Sequence, residues 1–310
     1  MRLASFRIRN SAEATIGVFI NDCYVDLAGM TGGALASEMN AFLETGRAGM
    51  DKARDVLTGL GRISSSQTNV YSPDEIELQA PVPRPGKIIH TACNFDEHLE
   101  ELTGWDQPEW QSHNWGDFHF EHPTGFLEAP SSVVASGAKV AVPHFTQQLD
   151  YEIEIGIIIG KTAFRVPVAE AVKYVAGYTI FNDLSARDIQ AREHSNKVIL
   201  LGKSFNGSCP FGPHLVTPDE LSDPHNLKMT LKVNGEVRQD SNTANMHYKT
   251  AELVSWWSNT TLEPGDIITS GSPPGVAAGM AIPDWLEPGD EIDATVAELG
   301  SLITHIVAAD

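Results

Sequence analysis

The sequence predicts an α+β fold built on a curled, mostly antiparallel sheet, and three observations carry that prediction. Strand-like runs of β-branched and aromatic residues recur along most of the chain. The helical stretches between them are few and short. Asn234-Gly235, the dipeptide a type I′ hairpin turn favours, lies between two of the strand runs. A doubly wound fold would instead alternate its strands with longer helical crossovers.

In chain order, Leu3–Ile8, Thr15–Ile20 and Tyr24–Leu27 read as short strands, with Asn21-Asp22 as a turn signal between the last two. Ala36–Glu44 and Met50–Leu60 read as helices followed closely by glycine. After the polar Ser64–Ser66 connection we place a boundary near Gln79, giving a small N-terminal α+β module (1–79) and a main domain (80–310). A first layer of one single domain is the other reading. Strand candidates then follow at Lys87–Thr91, Lys139–Val142, Glu152–Ile159, Tyr178–Asn182, Lys228–Val233, Glu236–Gln239, Asp266–Thr269, Asp290–Val296 and Leu302–Val307. Helices are expected around Phe95–Leu102, Ala169–Val175, Ala186–Arg192 and Thr250–Ser258.

Composition bounds the function. Of 310 residues, 42% are hydrophobic and 20% charged, enough for a sizeable core. The formal charge of −20 argues against nucleic acid and against anionic membrane surfaces, which need positive patches. An anionic substrate would need a local cation, which a metal ion supplies. Cys23, Cys93 and Cys209 are too scattered for a disulfide framework or a zinc spacing. The first residues lack a signal-peptide apolar stretch, and no run reaches the ~20 apolar residues of a membrane helix, so a cytoplasmic location is expected.

The chemistry concentrates in Leu149–Gly160. Glu152 and Glu154 stand two apart in a strand otherwise bound for the core, so their side chains share a face. Two buried carboxylates repel, and a hard divalent cation (Mg²⁺, Mn²⁺ or Ca²⁺) removes that penalty. An edge strand showing both acids to water is the alternative. Asp183, after the run Gly177–Asn182, would join them through a strand–helix–strand path, or would cap a helix starting near Ser185. His98 and Glu101, three apart on a helix, can form an oriented base, or simply a solvated surface pair. Lys203 sits after Val198-Ile199-Leu200-Leu201, either with a task or snorkelling.

Four ordered segments carry a resemblance. Asp150-Tyr151-Glu152-Ile153-Glu154, Asn182-Asp183-Leu184-Ser185-Ala186-Arg187-Asp188-Ile189-Gln190, Gly202-Lys203-Ser204-Phe205 and Gly271-Ser272-Pro273-Pro274-Gly275-Val276 resemble the fumarylacetoacetate hydrolase family, as does the lead-in Pro83-Arg84-Pro85-Gly86-Lys87-Ile88. The match runs from about Ala80 to Val307. It implies a mixed β-sandwich roll, a homodimer, and Mg²⁺ or Mn²⁺ (Ca²⁺ in vitro) held by Glu152, Glu154 and Asp183. It further implies that the His98–Glu101 dyad activates water and that Lys203 steadies oxyanion charge. Arg187, Gln190 and Ser272 would touch substrate, with a helix-surface role for the first two and a bare structural turn around Ser272 as alternatives.

The expected activity is hydrolysis of a carbon–carbon bond in a β-diketo acid, such as an acylpyruvate or a fumarylacetoacetate-like compound from aromatic catabolism. A lyase acting on 2-oxo acids, an oxaloacetate-type decarboxylase or a 2-keto-enoic acid hydratase, would use the same site. A non-catalytic metal-stabilised protein would leave the dyad and lysine idle. Departures from the family pattern are Glu128 where a lysine is usual, Ala92-Cys93-Asn94-Phe95 for Gly-Leu-Asn-Tyr, Asn206 for an aspartate, and Ser272 for a threonine. The stretch Trp105–His122, with Trp110, Trp115, His113 and His119, reads as an inserted lid or an interface patch.

Overall fold

The computed structural model describes residues 1–9, 11, 13–103 and 121–309. Two sheets pack face to face, and the strand Ile153–Ile159 is the spine of the larger one. It lies between Val175–Asn182 and Ile267–Thr269, antiparallel to both, with Ile153 opposite Asn182 and Gly156 opposite Thr269. All seven of its residues are buried. Because side chains alternate, Ile153, Ile155, Ile157 and Ile159 face the second sheet, where they join Met229, Leu231, Ile292, Val296 and Leu302 in one core. Each such isoleucine stabilises the fold by roughly 1.5–3 kcal/mol. Ile158 points the other way, into a core with Phe42, Phe181 and Phe211 under the helices Met39–Glu44 and Gly46–Leu60. Glu154 has the parity of Ile158 and shares that face, beyond the apolar stretch.

The second sheet runs Glu236–Asn242, Lys228–Val233, Glu291–Val296, Gly300–Val307, Ala138–Ala141. Its hairpin turns at Asn234 and Gly235, both at positive φ (51° and 83°), as the dipeptide predicted. Pairing is mostly antiparallel, with parallel neighbours at Ile88–Thr91 beside Ile267–Thr269, at Val133–Val134 beside Cys209–Val216 and at Ala138–Ala141 beside Gly300–Val307. The fold is the expected strand-rich α+β class. The first strand, Arg2–Ile8, hydrogen-bonds to Cys209–Val216, which pairs in turn with Val175–Asn182; the sheet therefore runs unbroken from the first residues to the centre.

Cys209–Val216 did not stand out in the sequence, because Pro210, Gly212 and Pro213 interrupt its apolar pattern. The helix expected over Ala36–Glu44 begins only at Met39. The one expected over Ala169–Val175 is a single α-turn, Val168–Ala171, running into a 3₁₀ turn, Val172–Tyr174. Asp183 caps no helix. Ser185–Ala186 pairs with Leu149–Asp150, and the helix Arg187–Ser195 starts beyond it. Among the described residues no helix is long and apolar enough to cross a membrane.

Candidate active site

The register of the two central strands assembles the floor of the site. The Asp183 backbone N–H donates to the Glu152 carbonyl at 2.9 Å, so the third acid lies across from the first. The Glu152 N–H is held by the Asn182 side-chain oxygen at 3.0 Å. Glu152, Glu154 and Asp183 are all buried, so none of the three lies on a solvated edge.

Two cations are built into this acid cluster. Lys203 Nζ donates to Glu152 Oε2 at 2.7 Å and to Asp183 Oδ2 at 2.6 Å. Arg187 donates through Nη2 to Glu152 Oε1 (2.6 Å), through Nε to Asp150 Oδ2 (2.8 Å) and through Nη1 to Gln190 Oε1 (3.1 Å). Against the cost of burial, Arg187 and then Lys203 hold the Glu152 carboxyl far below the usual carboxylate range. Burial raises Glu154 well above that range, with Asp183 and Glu152 adding to the rise and His90 opposing it. Its Oε2 accepts the Gly271 N–H at 3.0 Å. Burial would lower Lys203, but Asp183 and Glu152 outweigh it and keep the amine charged.

These residues fit a hard divalent cation. Asp183 Oδ1 is buried with no hydrogen-bond partner among the described residues, and oxygen donors dominate the set. Glu154 is a carboxylate whose charged form needs a further cation. An imidazole nitrogen of His90 and one oxygen each of Glu154 and Asp183 lie within 4.8 Å of one another. Glu152 stands outside that group, its two oxygens drawn to Arg187 and Lys203, and is the third carboxylate available beside it.

The dyad forms on the helix Asp96–Thr103. His98 Nδ1 lies 2.8 Å from Glu101 Oε2, and Glu101 Oε1 accepts the Gly275 N–H at 2.9 Å. A Cβ at Gly279 would fall 2.1 Å from Glu101 Oε1, so the carboxylate rests directly on that glycine. The helix start is pinned by Asn94, which donates to the Tyr248 and Ser270 carbonyls and accepts from the Tyr248 N–H. Asn94 also abuts Gly271, whose N–H is accepted by Glu154, so the start of the dyad's helix lies against the floor. The dyad is thus mostly buried and oriented, not a solvated surface pair. Cys93 borders the same space, its thiol pushed up to about 12 by burial and by Glu152.

Arg187, Gln190 and Ser272 are all buried and bonded within the protein. Arg187 ties Glu152 to Asp150, which also accepts the Ala277 and Ala278 N–H groups at 2.8 and 3.1 Å. One guanidinium therefore joins the acid floor to the turn beneath Glu101. Ser272 Oγ accepts from Gln239 Nε2 at 2.9 Å, and Gln239 Oε1 accepts the Ile153 N–H.

His90, Asp150 and Gln239 carried no role in the sequence, and Glu128 stood out only as a departure. His90 Nε2 lies 2.5 Å from Glu128 Oε2; Nδ1 lies 3.2 Å from Asp183 Oδ2 and 3.1 Å from Thr269 Oγ1. Its ring stacks on Phe126 with centroids 4.9 Å apart. The period-2 alternation of Ile88–Thr91 was the available signal: it turns His90 to the face its neighbour Ile89 avoids. Of the tryptophan-rich stretch, Trp105, Trp110, Trp115, His113 and His119 lie outside the described residues, while His122 stacks on Trp256.

Comparison with known proteins places this geometry. The family model for the fumarylacetoacetate hydrolase C-terminal domain matches residues 87–307. A mitochondrial oxaloacetate tautomerase of Homo sapiens is 38% identical over 274 residues, covering 88% of this chain and 81% of that protein. The structure of a fumarylacetoacetate hydrolase from Exiguobacterium antarcticum superposes with a TM-score of 0.75 at 31% identity, over 99% of this chain and 100% of the other. A maleylpyruvate hydrolase from Sphingobium sp. SYK-6, in complex with manganese(II) and pyruvate, gives a TM-score of 0.77 at 26% identity over the whole of both chains.

Proposed function

This chain belongs to the fumarylacetoacetate hydrolase family, an enzyme family, and from that premise we propose that it is a divalent-metal-dependent enzyme acting on a small 2-oxo acid through its enol or enolate. The observation that carries the reading is the buried His98–Glu101 pair beside three carboxylates and Lys203. A divalent cation held by Glu152, Glu154 and Asp183 would supply Lewis-acid polarisation of a substrate carboxylate and keto oxygen.

The chain's own groups do the rest. Glu101, fixed by the Gly275 N–H, orients the His98 ring. His98 would take a proton from the carbon next to the keto group, and Lys203, bonded to Glu152 and Asp183, would steady the negative charge that develops on the keto oxygen. Returning the proton to oxygen or to carbon gives keto–enol interconversion, which the human oxaloacetate tautomerase relative supports. Loss of CO₂ from such an acid, or hydration of a 2-keto-enoic acid, would pass through the same enolate.

A second reading, carbon–carbon hydrolysis of a β-diketo acid, is supported by the likeness to a maleylpyruvate hydrolase. There His98 deprotonates water instead, the water attacks the more distant carbonyl, and the leaving fragment departs as an enolate. The test is a panel of oxaloacetate, acetylpyruvate and fumarylpyruvate with Mg²⁺, Mn²⁺ or excess chelator. Enol absorbance, CO₂ and acid release are followed together. Metal-dependent acceleration of enol decay without acid release supports tautomerisation, CO₂ a decarboxylase, and two acids per turnover the hydrolase. Turnover unaffected by chelator would overturn the metal-dependent reading.

A further inference from the structure

Behind the acid floor lies a second group of donors, which shares only the His90 ring with the first. His90 nitrogen, a Glu128 oxygen and Cys209 Sγ lie within 4.8 Å of one another, and all three residues are buried. Hard ions favour the carboxylates of the floor, whereas a thiol, an imidazole and a single carboxylate suit a borderline ion. We propose that His90 Nε2, Glu128 and Cys209 form a separate structural site for a thiophilic divalent cation of the Zn²⁺ type.

Two features of the surroundings suit a bound cation. His90 Nε2 and Glu128 Oε2 pair with each other at 2.5 Å and have no other partner among the described residues, so both donors are free to share an ion. The other ring nitrogen, Nδ1, meets Asp183 Oδ2 at 3.2 Å and Thr269 Oγ1 at 3.1 Å. A metal-bound imidazole is characteristically held in this way, its far N–H given to a carboxylate that fixes the ring and strengthens the donor.

The remaining donors are also fixed in place. Glu128 Oε1 accepts from Ser208 Oγ at 2.6 Å, and Ser132 Oγ lies 3.1 Å from Cys209 Sγ, where its oxygen can serve as a fourth donor. Binding forms metal–nitrogen, metal–oxygen and metal–sulfur bonds and releases the thiol proton, together with any proton held between His90 and Glu128, to solvent. The site braces three strands, Ile88–Thr91, Gly125–Glu128 and Cys209–Val216, against one another behind Asp183. It needs no assumption about the substrate and stands or falls separately from the proposed function.

The test loads metal-free full-length protein with Co²⁺ as probe, and with Zn²⁺ in parallel, and reads thiolate-to-cobalt charge transfer and bound ions per chain after gel filtration. The expected result is a thiolate band in the wild type. Cys209→Ala should lose the band and one tightly held ion; Cys93→Ala and Cys23→Ala should keep both. A band lost in Cys93→Ala instead would place the thiolate beside the floor and overturn the proposal. So would the absence of any band while Mn²⁺ still binds. If Cys209→Ala fails to fold, zinc-edge X-ray absorption of the wild type decides. One sulfur at about 2.3 Å supports the site, and a shell of oxygen and nitrogen alone overturns it.

Discussion

Arg187→Met replaces the guanidinium that joins Asp150, Glu152 and Gln190 by an apolar side chain of similar reach. It leaves two buried carboxylates without their shared cation. Removing one member of a buried ion pair typically costs about 3–5 kcal/mol. Asp150 keeps the Ala277 and Ala278 N–H groups, and Glu152 keeps Lys203, so the lower end applies, about 3 kcal/mol, roughly a hundredfold in the folding equilibrium. Urea denaturation with metal chelated reads this directly.

The sign of its pH dependence follows from Glu152, whose folded-state carboxyl is held below its unfolded value by Arg187 and Lys203. That stabilisation is complete above the unfolded carboxylate pKa and is lost as pH falls through the folded one. In the variant Glu152 takes up a proton at higher pH than in the wild type. The stability gap between the two proteins should therefore narrow as the solution is acidified from neutrality. A gap below 1 kcal/mol at pH 7, or one that stays constant into the acid range, would refute the role assigned to this guanidinium.

Other expectations concern the dyad and a remote histidine. His98→Ala should lower kcat by about 10²–10⁴ while leaving Mn²⁺ affinity within about twofold, measured by turnover and by EPR titration. Gly279→Ala should displace Glu101 from His98, because the new Cβ falls on the flexible end of that side chain; kcat should drop with little change in Tm, and an unchanged kcat would show that Glu101 is not seated on this glycine. His214 is buried beside Tyr24, and burial lowers its pKa from 6.5 to about 4. The unfolded chain binds the proton first, so stability should fall between pH 6.5 and 4 by up to about 3 kcal/mol, and His214→Phe should flatten that slope in denaturation curves.

What was legible in the sequence is what local physics dictates. The Asn234-Gly235 hairpin needs only the conformational preferences of two residues, and the Ile153–Ile159 spine announces itself by its β-branched run. Glu152 and Glu154 could be placed on one face because strand parity is a local property. That Asp183 lies against Glu152 depended on a strand register no local pattern specifies, and the family resemblance supplied it. His90 and Cys209 escaped for the same reason: their partners come from strands distant in sequence. Cys209–Val216 was concealed by its prolines, although it joins the N-terminal strand to the centre of the sheet. The partners of Arg187 were hidden too. Nothing in an Ala-Arg-Asp-x-Gln segment tells a cation aimed at substrate from one aimed back at Asp150.

The spine strand has a consequence for how this enzyme can change. Its buried acid, Glu154, is set in a strand paired on both edges and packed on both faces, so the acid floor has almost no freedom to adapt to a new substrate. The dyad is carried instead by the helix Asp96–Thr103 and buttressed by the turn around Gly275 and Gly279. Laboratory evolution toward new substrates should accordingly accumulate its changes in that roof and leave the floor untouched. A library restricted to the spine would return mostly unfolded chains, whereas one confined to the helix and turn would sample altered specificities on an intact scaffold.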